Sequence, residues 1–538
     1  MQGVPKRALK VREFWLNSKQ EVIVKIVREI LLLFKVEVVA DETADYAGLS
    51  VENRVIPGEP LRVSTRMVLK DFHGAKHIYV QSSKRQPDER EAAGIHRMIK
   101  RNLYDIFREE LGEPAAPWGI LHGVRPTKIV HRWIRSHLTE HEIMHRLLDD
   151  YRASPEKAEL ITHMAFRQLP FLETSDEKTV SIYVGIPFCM TRCLYCSFPS
   201  NLLPTEDKLR DFLEILRKDI AAARESVERY GFHVQNIYVG GGTPTSLPDI
   251  FFAEMLEMVY NAFYEPHIVE FTVEAGRPDS MSEAKIACMK RFGVTRVSVN
   301  PQTMQERTLR RIGRHHTPED IVRMFRALRE AGSFQINMDL ILGLPGETAE
   351  DVADTMEQVL ALQPDDITLH ALALKRGSRL KMNLEAYELP GDDETRRMSE
   401  TAMRYIADAG MQPYYLYRQG YMSGQLENIG CCRKGAEGMY NIQIMEEHQT
   451  IIGMGGAATT KVVDHRAGRL KSSFHAKDLL TYLRDIDVYI EKRSLLLEEA
   501  YGNKEVRRKA FVDKCAARHE GYPAGTGSRV ELCGKEDP

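Results

Sequence analysis

From residue 179 onward the chain alternates between short apolar runs and longer segments with helical spacing of apolar residues. This alternation predicts parallel strands joined by helices, because parallel neighbours need a crossover of a dozen or more residues. The six predicted strands cover 181–187, 235–239, 268–273, 295–299, 335–341 and 366–372. The pattern therefore predicts an α/β fold on a parallel sheet, either open or closed.

Two of the intervening helices have recognisable starts. Thr317 precedes a proline and two acidic residues, and Thr348 stands three residues before Asp351. A threonine cap, a proline at the first helical position and an acidic first turn all stabilise a helix N-terminus. We therefore expect helices to begin at both places.

Residues able to bind ligands follow the predicted strands at regular places. Three cysteines follow the first strand and a glycine-rich turn, 240–244, follows the second. The later strands end near Glu274, then near Asn300 and Gln302, then near Asp339. In (β/α) barrels the loops at the carboxyl ends of the strands converge on the active site. The sequence thus predicts one site at that end of the strands.

The cysteines Cys189, Cys193 and Cys196 have C-x₃-C-x₂-C spacing. Thiolates select iron–sulfur clusters, zinc or copper(I). Three thiolates do not complete the four-ligand shell of a structural zinc site, and the adjacent Cys431 and Cys432 have poor chelating geometry for completing it. Three thiolates also leave one iron of a cubane cluster without a protein ligand. An iron left open in this way can bind and cleave a small molecule, which predicts an enzyme.

The other strand-end residues suit a ligand that has an amino acid part and a sugar part. The glycines of 240–244 let the backbone approach a ligand closely, because glycine has no Cβ. Glu274, Gln302 and Asp339 supply acceptors for hydroxyl groups and for an ammonium group. Arg314 supplies a cationic fork for a carboxylate.

Composition narrows the classes of protein to which the chain can belong. Its 538 residues are 43% hydrophobic and 28% charged, and the formal net charge is -3, so a nucleic acid partner is not expected. The chain has neither an N-terminal apolar core of a signal peptide nor the roughly 18 apolar residues of a membrane span. We therefore expect a cytoplasmic protein with no membrane partner, whose eight cysteines stay reduced.

Four regions are expected along the chain. Residues 1–175 form an N-terminal mixed α/β domain of unknown role, with a strand over 77–81, a helix over 89–111 and a polar linker over 173–178. Residues 176–385 form the barrel core. Residues 386–495 form a C-terminal extension, in which strands and tight turns are expected over 412–461. Residues 496–538 form a helical or poorly ordered tail.

One motif points to a different chemistry. His141 to His145 matches H-E-x-x-H, the helix of zinc metalloproteases. Thr139 and Glu142 have the spacing of a capping box, which accounts for the glutamate, and Tyr151 stands where a third histidine would follow. We therefore expect a solvated helix at this place and no metal site.

Several motifs, taken in order, resemble one family. After Y-V-G-I-P-F and the cysteines come G-G-G-T-P-T, V-E-A-G-R-P, N-P-Q and D-L-I-L-G-L-P-G-E. This order resembles the radical S-adenosylmethionine (SAM) enzymes, specifically the oxygen-independent coproporphyrinogen III oxidase (coproporphyrinogen dehydrogenase) branch and its HemZ-type members. The resemblance covers about 180–460. It implies a partial (β/α)₆ radical SAM barrel with an N-terminal mixed α/β domain and a C-terminal α+β extension.

The resemblance also implies cofactors and a reaction. Cys189, Cys193 and Cys196 would bind a [4Fe-4S] cluster, whose fourth iron is chelated by the amino and carboxylate groups of SAM. In the family, SAM is cleaved to methionine and a 5′-deoxyadenosyl radical, which removes hydrogen from the β-carbon of a porphyrinogen propionate. Loss of CO₂ and an electron then gives the vinyl group of protoporphyrinogen IX. The implied SAM contacts are Tyr183, Tyr195, Gly241, Gly242, Thr243, Glu274, Gln302, Arg314, Asp339 and Leu372.

The implied partners are coproporphyrinogen III or a heme-like tetrapyrrole, and an electron donor such as flavodoxin or ferredoxin. Arg376 and Arg418 are candidate grips for the tetrapyrrole carboxylates. The chain departs from the family's oxidases at Phe198, where they carry a fourth cysteine. The leading hypothesis is that the chain is an oxidative decarboxylase of heme biosynthesis. The alternatives are a heme-binding chaperone without decarboxylase activity and a radical SAM enzyme acting on RNA.

Overall fold

The computed structural model describes residues 13–17, 21–39, 47–70, 75–114, 116–198, 201–332, 334–375, 377–418, 426–464 and 469–502. The chain divides into two compact units. The first unit comprises Met1–Ser175, Met190–Phe198 and Thr272–His448. The second unit comprises Asp176–Cys189, Pro199–Phe271 and Gln449–Pro538.

The N-terminal part of the first unit contains a five-stranded sheet. In chain order its strands are β1 (Glu13–Asn17), β2 (Glu37–Val39), β3 (Ala47–Ile56), β4 (Arg62–Lys70) and β5 (Lys76–Lys84), and in space they run β2-β1-β3-β4-β5. The helices of this part are α1 (Glu21–Leu33), α2 (Glu91–Leu111), α3 (Thr127–Arg135), α4 (Glu140–Asp149) and α5 (Pro155–Leu172). The apolar faces of α1 and α2 form one core with Val63, Met67 and Leu69 of β4.

The remaining strands alternate with helices until residue 371. The strands are β6 (Thr179–Ile186), β7 (Phe188–Cys189), β8 (Asn201–Leu202), β9 (His233–Gly241), β10 (Glu270–Gly276), β11 (Arg296–Gln302), β12 (Gln335–Leu342), β13 (Asp366–Ala371), β14 (Gln412–Tyr417), β15 (Asn428–Cys432), β16 (Thr450–Gly455), β17 (Thr459–Asp464) and β18 (Arg469–Phe474). The helices are α6 (Glu206–Tyr230), α7 (Asp249–Phe263), α8 (Glu283–Arg291), α9 (Glu306–Arg311), α10 (Pro318–Ala331), α11 (Ala349–Ala361), α12 (Arg379–Met382), α13 (Asp392–Asp408), α14 (Met439–Glu446), α15 (Leu479–Arg484) and α16 (Ile486–Tyr501).

Each unit contains part of the parallel sheet. In the first unit β10, β11, β12 and β13 pair in parallel and in sequence, and β15 then joins β13 in the antiparallel sense with β14 beyond it. In the second unit β6 lies between β9 and β16, parallel to both, and β17 and β18 continue as an antiparallel pair. Along β10 to β13 apolar residues alternate with polar ones, and the polar Thr272, Ser298, Asn337 and Thr368 are buried as well.

The predicted elements agree with these bounds at most positions. All six strands predicted between 181 and 372 are confirmed within a few residues, as are the strand over 77–81, which is longer than expected, and the helix over 89–111. Both helices expected after Thr317 and Thr348 begin with capping boxes. The polar segment 173–178 connects α5 to β6.

One prediction was wrong in part. The strands and tight turns expected over 412–461 are present as β14 to β17, but 439–446 forms the helix α14. The apolar residues of this helix are spread around it, and its buried residues include the polar Gln443 and Glu446, so its sequence has no apolar stripe from which a helical period could be read. Most of the predicted tail, beyond residue 502, lies outside the described residues. Among the described helices, none combines the length and the apolar composition that crossing a bilayer requires.

Candidate active site at the carboxyl ends of the strands

The first cysteine follows the strand that lies between two parallel neighbours in the second unit. This strand, β6, carries Tyr183, whose ring stacks on that of Tyr238 with the ring centroids 6.1 Å apart. β6 ends three residues before Cys189, and β7 then pairs Cys189 with Leu202 of β8. Cys189 is half-buried at this position.

The glycine-rich turn after β9 packs against the backbone that leads to Cys189. Thr243 donates its backbone N–H to the carbonyl of Phe188 at 2.7 Å, and its Oγ1 lies 3.6 Å from Cys189 Sγ. A Cβ added to Gly242 would lie 2.5 Å from Phe188 O and 3.0 Å from Cys189 Sγ, while Gly241 has φ +114°. Only glycine fits at 241 and 242 without displacing the chain at the cysteine.

The other two cysteines lie in the segment Met190–Phe198 of the first unit, which we call the cysteine loop. Its middle is held by two backbone hydrogen bonds: Leu194 donates to Ile312 O at 2.9 Å, and Leu380 donates to Leu194 O at 3.0 Å. Cys193 is 9% exposed and Cys196 is half-buried. The loop is therefore held by the carboxyl end of α9 and by α12.

Tyr195 and Arg314 lie beside Cys193. Burial raises the pKa of the Tyr195 phenol, an effect that Arg314 opposes and the neighbouring Cys193 reinforces. Burial alone would lower the pKa of Arg314, but Tyr195 and Cys193 raise it above its ordinary value. The guanidinium also donates to the carbonyl of Asn300. The predicted carboxylate fork is thus a buried cation next to a predicted cluster ligand.

Two of the predicted ligand contacts have unsatisfied polar atoms. Among the described residues, Gln302 Oε1 and Arg314 Nε are buried without a hydrogen-bond partner. Gln302 also has φ +70°, a conformation that few residues other than glycine adopt. Buried polar atoms and strained backbone are both costly unless a ligand or a function requires them. These features of Gln302 and Arg314 are typical of residues that bind a ligand.

The remaining predicted contacts lie where the strand pattern places them. Glu274 is in β10, half-buried and in register with Ser298 of β11. Asp339 is in β12, where its Oδ1 accepts a hydrogen bond from Asn337 Nδ2 at 2.7 Å. Leu372 follows β13 and is 5% exposed. The structure thus shows close groups around Cys189 and around Cys193, and it places these three residues separately at the strand ends.

Sequence reasoning missed two buried residues near the cysteine loop. Arg277 is 2% exposed and follows β10 directly, and His316 is 4% exposed just before α10. Both ring nitrogens of His316 lack a hydrogen-bond partner within the described residues, and burial lowers its pKa to about 4. An arginine in the R-P-D turn after a strand was the available signal for Arg277. The sequence alone does not distinguish such an arginine from a surface charge.

The structure describes one of the two arginines predicted to bind the substrate carboxylates. Arg376 lies outside the described residues. Arg418 stacks on Trp118, with its guanidinium carbon 4.8 Å from the ring centroid, and donates to Leu121 O at 2.8 Å. Burial lowers the pKa of Arg418 to about 10. Its role in substrate binding stays a prediction.

The H-E-x-x-H segment lies in helix α4, where His141, Glu142 and His145 are exposed and Ile143 is buried. Thr139 and Glu142 make the expected capping box, and His145 Nδ1 pairs with Asp149 Oδ2 at 2.8 Å. Throughout the described ranges, no three His, Cys, Asp or Glu side chains are grouped so that they could hold a metal ion. Each thiolate of a [4Fe-4S] cluster binds a different iron, so its ligands are spaced more widely than those of one ion.

The residues present fit a [4Fe-4S] cluster and SAM by their chemistry. Three thiols without a fourth suit a cluster with one open iron. The glycine turn has no room for a Cβ beside Cys189 Sγ, and Arg314 and Gln302 retain unsatisfied buried atoms for polar groups of a ligand. Cys189, Cys193 and Cys196 would hold the cluster, and Gln302 and Arg314 would contact SAM.

Comparison with known proteins agrees with this chemistry. A family model described as the radical SAM superfamily matches residues 183–359. The oxygen-independent coproporphyrinogen-III oxidase-like protein HemZ of Bacillus subtilis (strain 168) is 37% identical over 394 residues, which are 71% of this chain and 77% of that protein. The heme chaperone HemW of Lactococcus lactis subsp. lactis (strain IL1403) is 30% identical over 346 residues, which are 63% of this chain and 84% of that protein.

Among solved structures, coproporphyrinogen III oxidase (HemN) from Escherichia coli has a TM-score of 0.49 and 20% identity, covering 66% of this chain and 84% of that chain. The identity and extent of the HemZ match, together with the superfamily match over residues 183–359, show the family. The chain therefore belongs to the radical SAM superfamily, whose cofactors are a [4Fe-4S] cluster and SAM, and within it to the group of HemZ-type, coproporphyrinogen-oxidase-like proteins.

Proposed function

We propose that the chain catalyses the oxygen-independent oxidative decarboxylation of coproporphyrinogen III, converting two propionates to vinyl groups in heme biosynthesis. The observation that carries the proposal is the identity to the HemZ protein over most of both chains. The unsatisfied Gln302 and Arg314 at the strand ends support a SAM-dependent reaction. The proposal places the protein in the cytoplasm, with a flavodoxin or ferredoxin as electron donor.

When bound, the cluster and SAM would supply the radical chemistry that removes one hydrogen atom from a propionate; CO₂ would then be released and the remaining electron would pass to an acceptor. The chain's own residues position the reactants. Cys189, Cys193 and Cys196 would hold the cluster, the turn at Gly242 packs closely against the first of these cysteines, and Arg314 would bind the SAM carboxylate.

Substrate recognition requires an apolar surface and cations for the propionates. Met190 and Phe198 in the cysteine loop expose 41% and 61% of their surface. Lys375 Nζ lies over the Phe198 ring at 5.5 Å from its centroid, and burial lowers the pKa of Lys375. We propose that Lys375 grips a propionate in addition to the predicted Arg376 and Arg418, while Phe198 contacts the macrocycle.

The test is anaerobic incubation of the reconstituted protein with SAM, a reductant and coproporphyrinogen III. The proposal predicts stepwise loss of two carboxyl groups and one 5′-deoxyadenosine per carboxyl group lost. Lys375→Ala should raise KM for the porphyrinogen about tenfold, whereas Lys381→Ala, which removes a lysine from the neighbouring α12, should leave it unchanged. Release of 5′-deoxyadenosine without any change in the porphyrinogen would contradict the substrate assignment.

A heme-binding chaperone is the second candidate function. Similarity to the HemW protein over 84% of its length favours it, as does Phe198 at the position where the family's oxidases have a fourth cysteine. The chaperone predicts stoichiometric heme binding that survives gel filtration and no decarboxylated product. Phe198→Ala should then weaken heme binding, while the decarboxylase predicts a rise in KM for the porphyrinogen instead.

A further inference from the structure

Arg277 makes an unusual set of contacts for a residue in a turn. It follows β10 directly, at the start of the short 3₁₀ helix Pro278–Ser280, and is 2% exposed. Its Nε and Nη2 donate to the two carboxylate oxygens of Asp279 at 2.9 and 2.5 Å. Its Nη1 donates to Thr191 Oγ1 at 2.6 Å. One guanidinium thus joins an acid on its own turn to the cysteine loop.

Thr191 is the central residue between the first two cysteines, two positions from each. Its hydroxyl accepts the hydrogen bond from Arg277 and donates one to the carbonyl of Gly313 at 3.1 Å. Gly313 has φ +79° and stands next to Arg314, which contacts Cys193. The hydroxyl therefore couples the turn after β10 and the turn before Arg314 to the cysteine loop.

The geometry requires the guanidinium specifically. A guanidinium has five donors in a planar fork, so two can bind a carboxylate while a third reaches another acceptor. The Arg277 charge holds the pKa of the Asp279 carboxyl below its usual range, although burial alone would raise it. Lysine, with one point of charge on a flexible stem, cannot reproduce this pair of contacts. The charges of Arg277 and Asp279 neutralise each other. The pair therefore fixes Thr191 through the directions of its hydrogen bonds.

We propose that Arg277 is a positioning residue for the iron–sulfur cluster. With Asp279 it fixes Thr191, and through Thr191 it holds the cysteine loop, which carries Cys193 and Cys196. The inference rests on the proposed assignment of Cys189, Cys193 and Cys196 as cluster ligands. Residues that orient metal ligands are typically worth 10–100-fold in metal affinity.

A matched control exists in the same unit. Arg296 and Asp366 also form a buried pair, at 3.1 Å, but they stand at the amino-terminal starts of β11 and β13. Loss of that pair destabilises the fold without touching the cysteine loop. Tyr414→Phe is a milder control, because it removes only the hydroxyl that donates to Asp366 at 2.7 Å.

The experiment measures the rate of iron release to a ferrous chelator, and the paramagnetic resonance spectrum of the reduced cluster, in reconstituted full-length protein. Arg277→Gln, Arg277→Lys and Thr191→Val should each release iron at least tenfold faster than wild type and alter the spectrum. Thr191→Ser, which keeps the hydroxyl, should behave as wild type. The double variant of Arg277→Gln and Thr191→Val should release iron no faster than either single variant, because each substitution removes the same hydrogen bond between the two residues.

Arg296→Gln and Tyr414→Phe should lower the melting temperature and leave iron release and the spectrum unchanged. Wild-type rates in Arg277→Gln and Thr191→Val would overturn the inference, as would equal acceleration in the two controls. If wild-type protein took up no iron and sulfide, the ligand assignment would fail and this inference with it. The two failures are therefore distinguishable.

Discussion

The strands β11 to β13 of the first unit differ sharply between their two ends. At the amino end, Arg296 pairs with Asp366 at 3.1 Å and also donates to Gln335 Oε1 at 2.6 Å. At the carboxyl end, the buried Arg314 donates to the carbonyl of Asn300 and lies beside Cys193 and Tyr195. Both ends bury charge, but the amino end pairs its charge with an acid.

This difference separates stability from function within one sheet. A buried charge that is paired and hydrogen-bonded holds elements together, whereas one that lacks a partner costs stability unless a ligand compensates it. In barrels of alternating strands and helices, residues at the carboxyl ends serve catalysis and those at the amino ends serve stability. The two arginines should therefore respond in opposite ways to replacement.

The largest effect is expected at the amino end. Arg296→Gln leaves the buried Asp366 carboxylate without its cation, and the loss of one partner of a buried pair costs about 3–5 kcal/mol in the free energy of unfolding. Denaturant unfolding measures this value. SAM cleavage per folded molecule should stay at the wild-type level. If Arg296→Gln were as stable as wild type, or if its SAM cleavage were impaired, the proposed difference between the two ends of the strands would be wrong.

Arg314→Leu should have the opposite profile. Removing a buried cation that lacks an acidic partner should leave the melting temperature unchanged or raise it, because residues at functional sites often lower the stability of the fold. Release of 5′-deoxyadenosine should fall about 100-fold or more, as is typical for the loss of a preorganised charge. Arg307→Leu is the control, since Arg307 on α9 pairs with Asp351 at an exposed site. Equal losses of activity in both variants would contradict the assignment.

Stability should depend on pH through Glu347 at the carboxyl end. Burial raises the pKa of Glu347 from 4.5 to about 7, although the hydrogen bond from Thr303 Oγ1 opposes this rise. The folded chain therefore holds this proton more tightly than the unfolded chain. The stabilising contribution is complete below about pH 4.5 and is lost as the pH rises through about 7.

Between pH 5 and pH 8 this contribution amounts to about 2 kcal/mol. Glu347→Gln should remove that part of the pH dependence, as measured by denaturant unfolding across the range. Thr303→Val serves as a companion variant, because it removes the hydroxyl that contacts the carboxyl and should raise its pKa further. An unchanged pH profile in Glu347→Gln would show that the glutamate does not titrate in this range.

The smallest effect concerns the glycine turn of the second unit. Gly242→Ala places a methyl group against Phe188 O and Cys189 Sγ, so the chain must shift, and iron release should become about tenfold faster. Gly123→Ala is the control, because its Cβ would meet no atom within 4 Å. If both variants retained iron equally, close packing at Cys189 would be unimportant for the cluster.

The sequence was most informative about the strands and their ends. Apolar residues recur at about every second position in short segments that alternate with helical ones, so β6 and β9 to β13 could be predicted to within a few residues. The capping boxes at Thr317 and Thr348 could be predicted because they depend on neighbours three residues apart. Local patterns of this kind require no knowledge of the tertiary fold.

The parts that escaped prediction depend on contacts between distant segments. Helix α14 has apolar residues on several sides and buries the polar Gln443 and Glu446, so its sequence has no apolar stripe. The bond between Arg277 and Thr191 joins residues 86 positions apart, and neither residue type is unusual in a turn. The stacking of Arg418 on Trp118, which joins the C-terminal extension to the N-terminal region, was invisible for the same reason.

The central claim is that three cysteines hold a cubane cluster with one iron open to SAM. The most direct measurement is the iron and sulfide content of anaerobically reconstituted protein, combined with the paramagnetic resonance of the reduced form before and after addition of SAM. The account predicts about four irons and four sulfides per chain, a spectrum that changes with SAM, and loss of both in Cys193→Ser. The central claim would be contradicted by bound zinc, by the absence of sulfide, or by a spectrum that does not change when SAM is added.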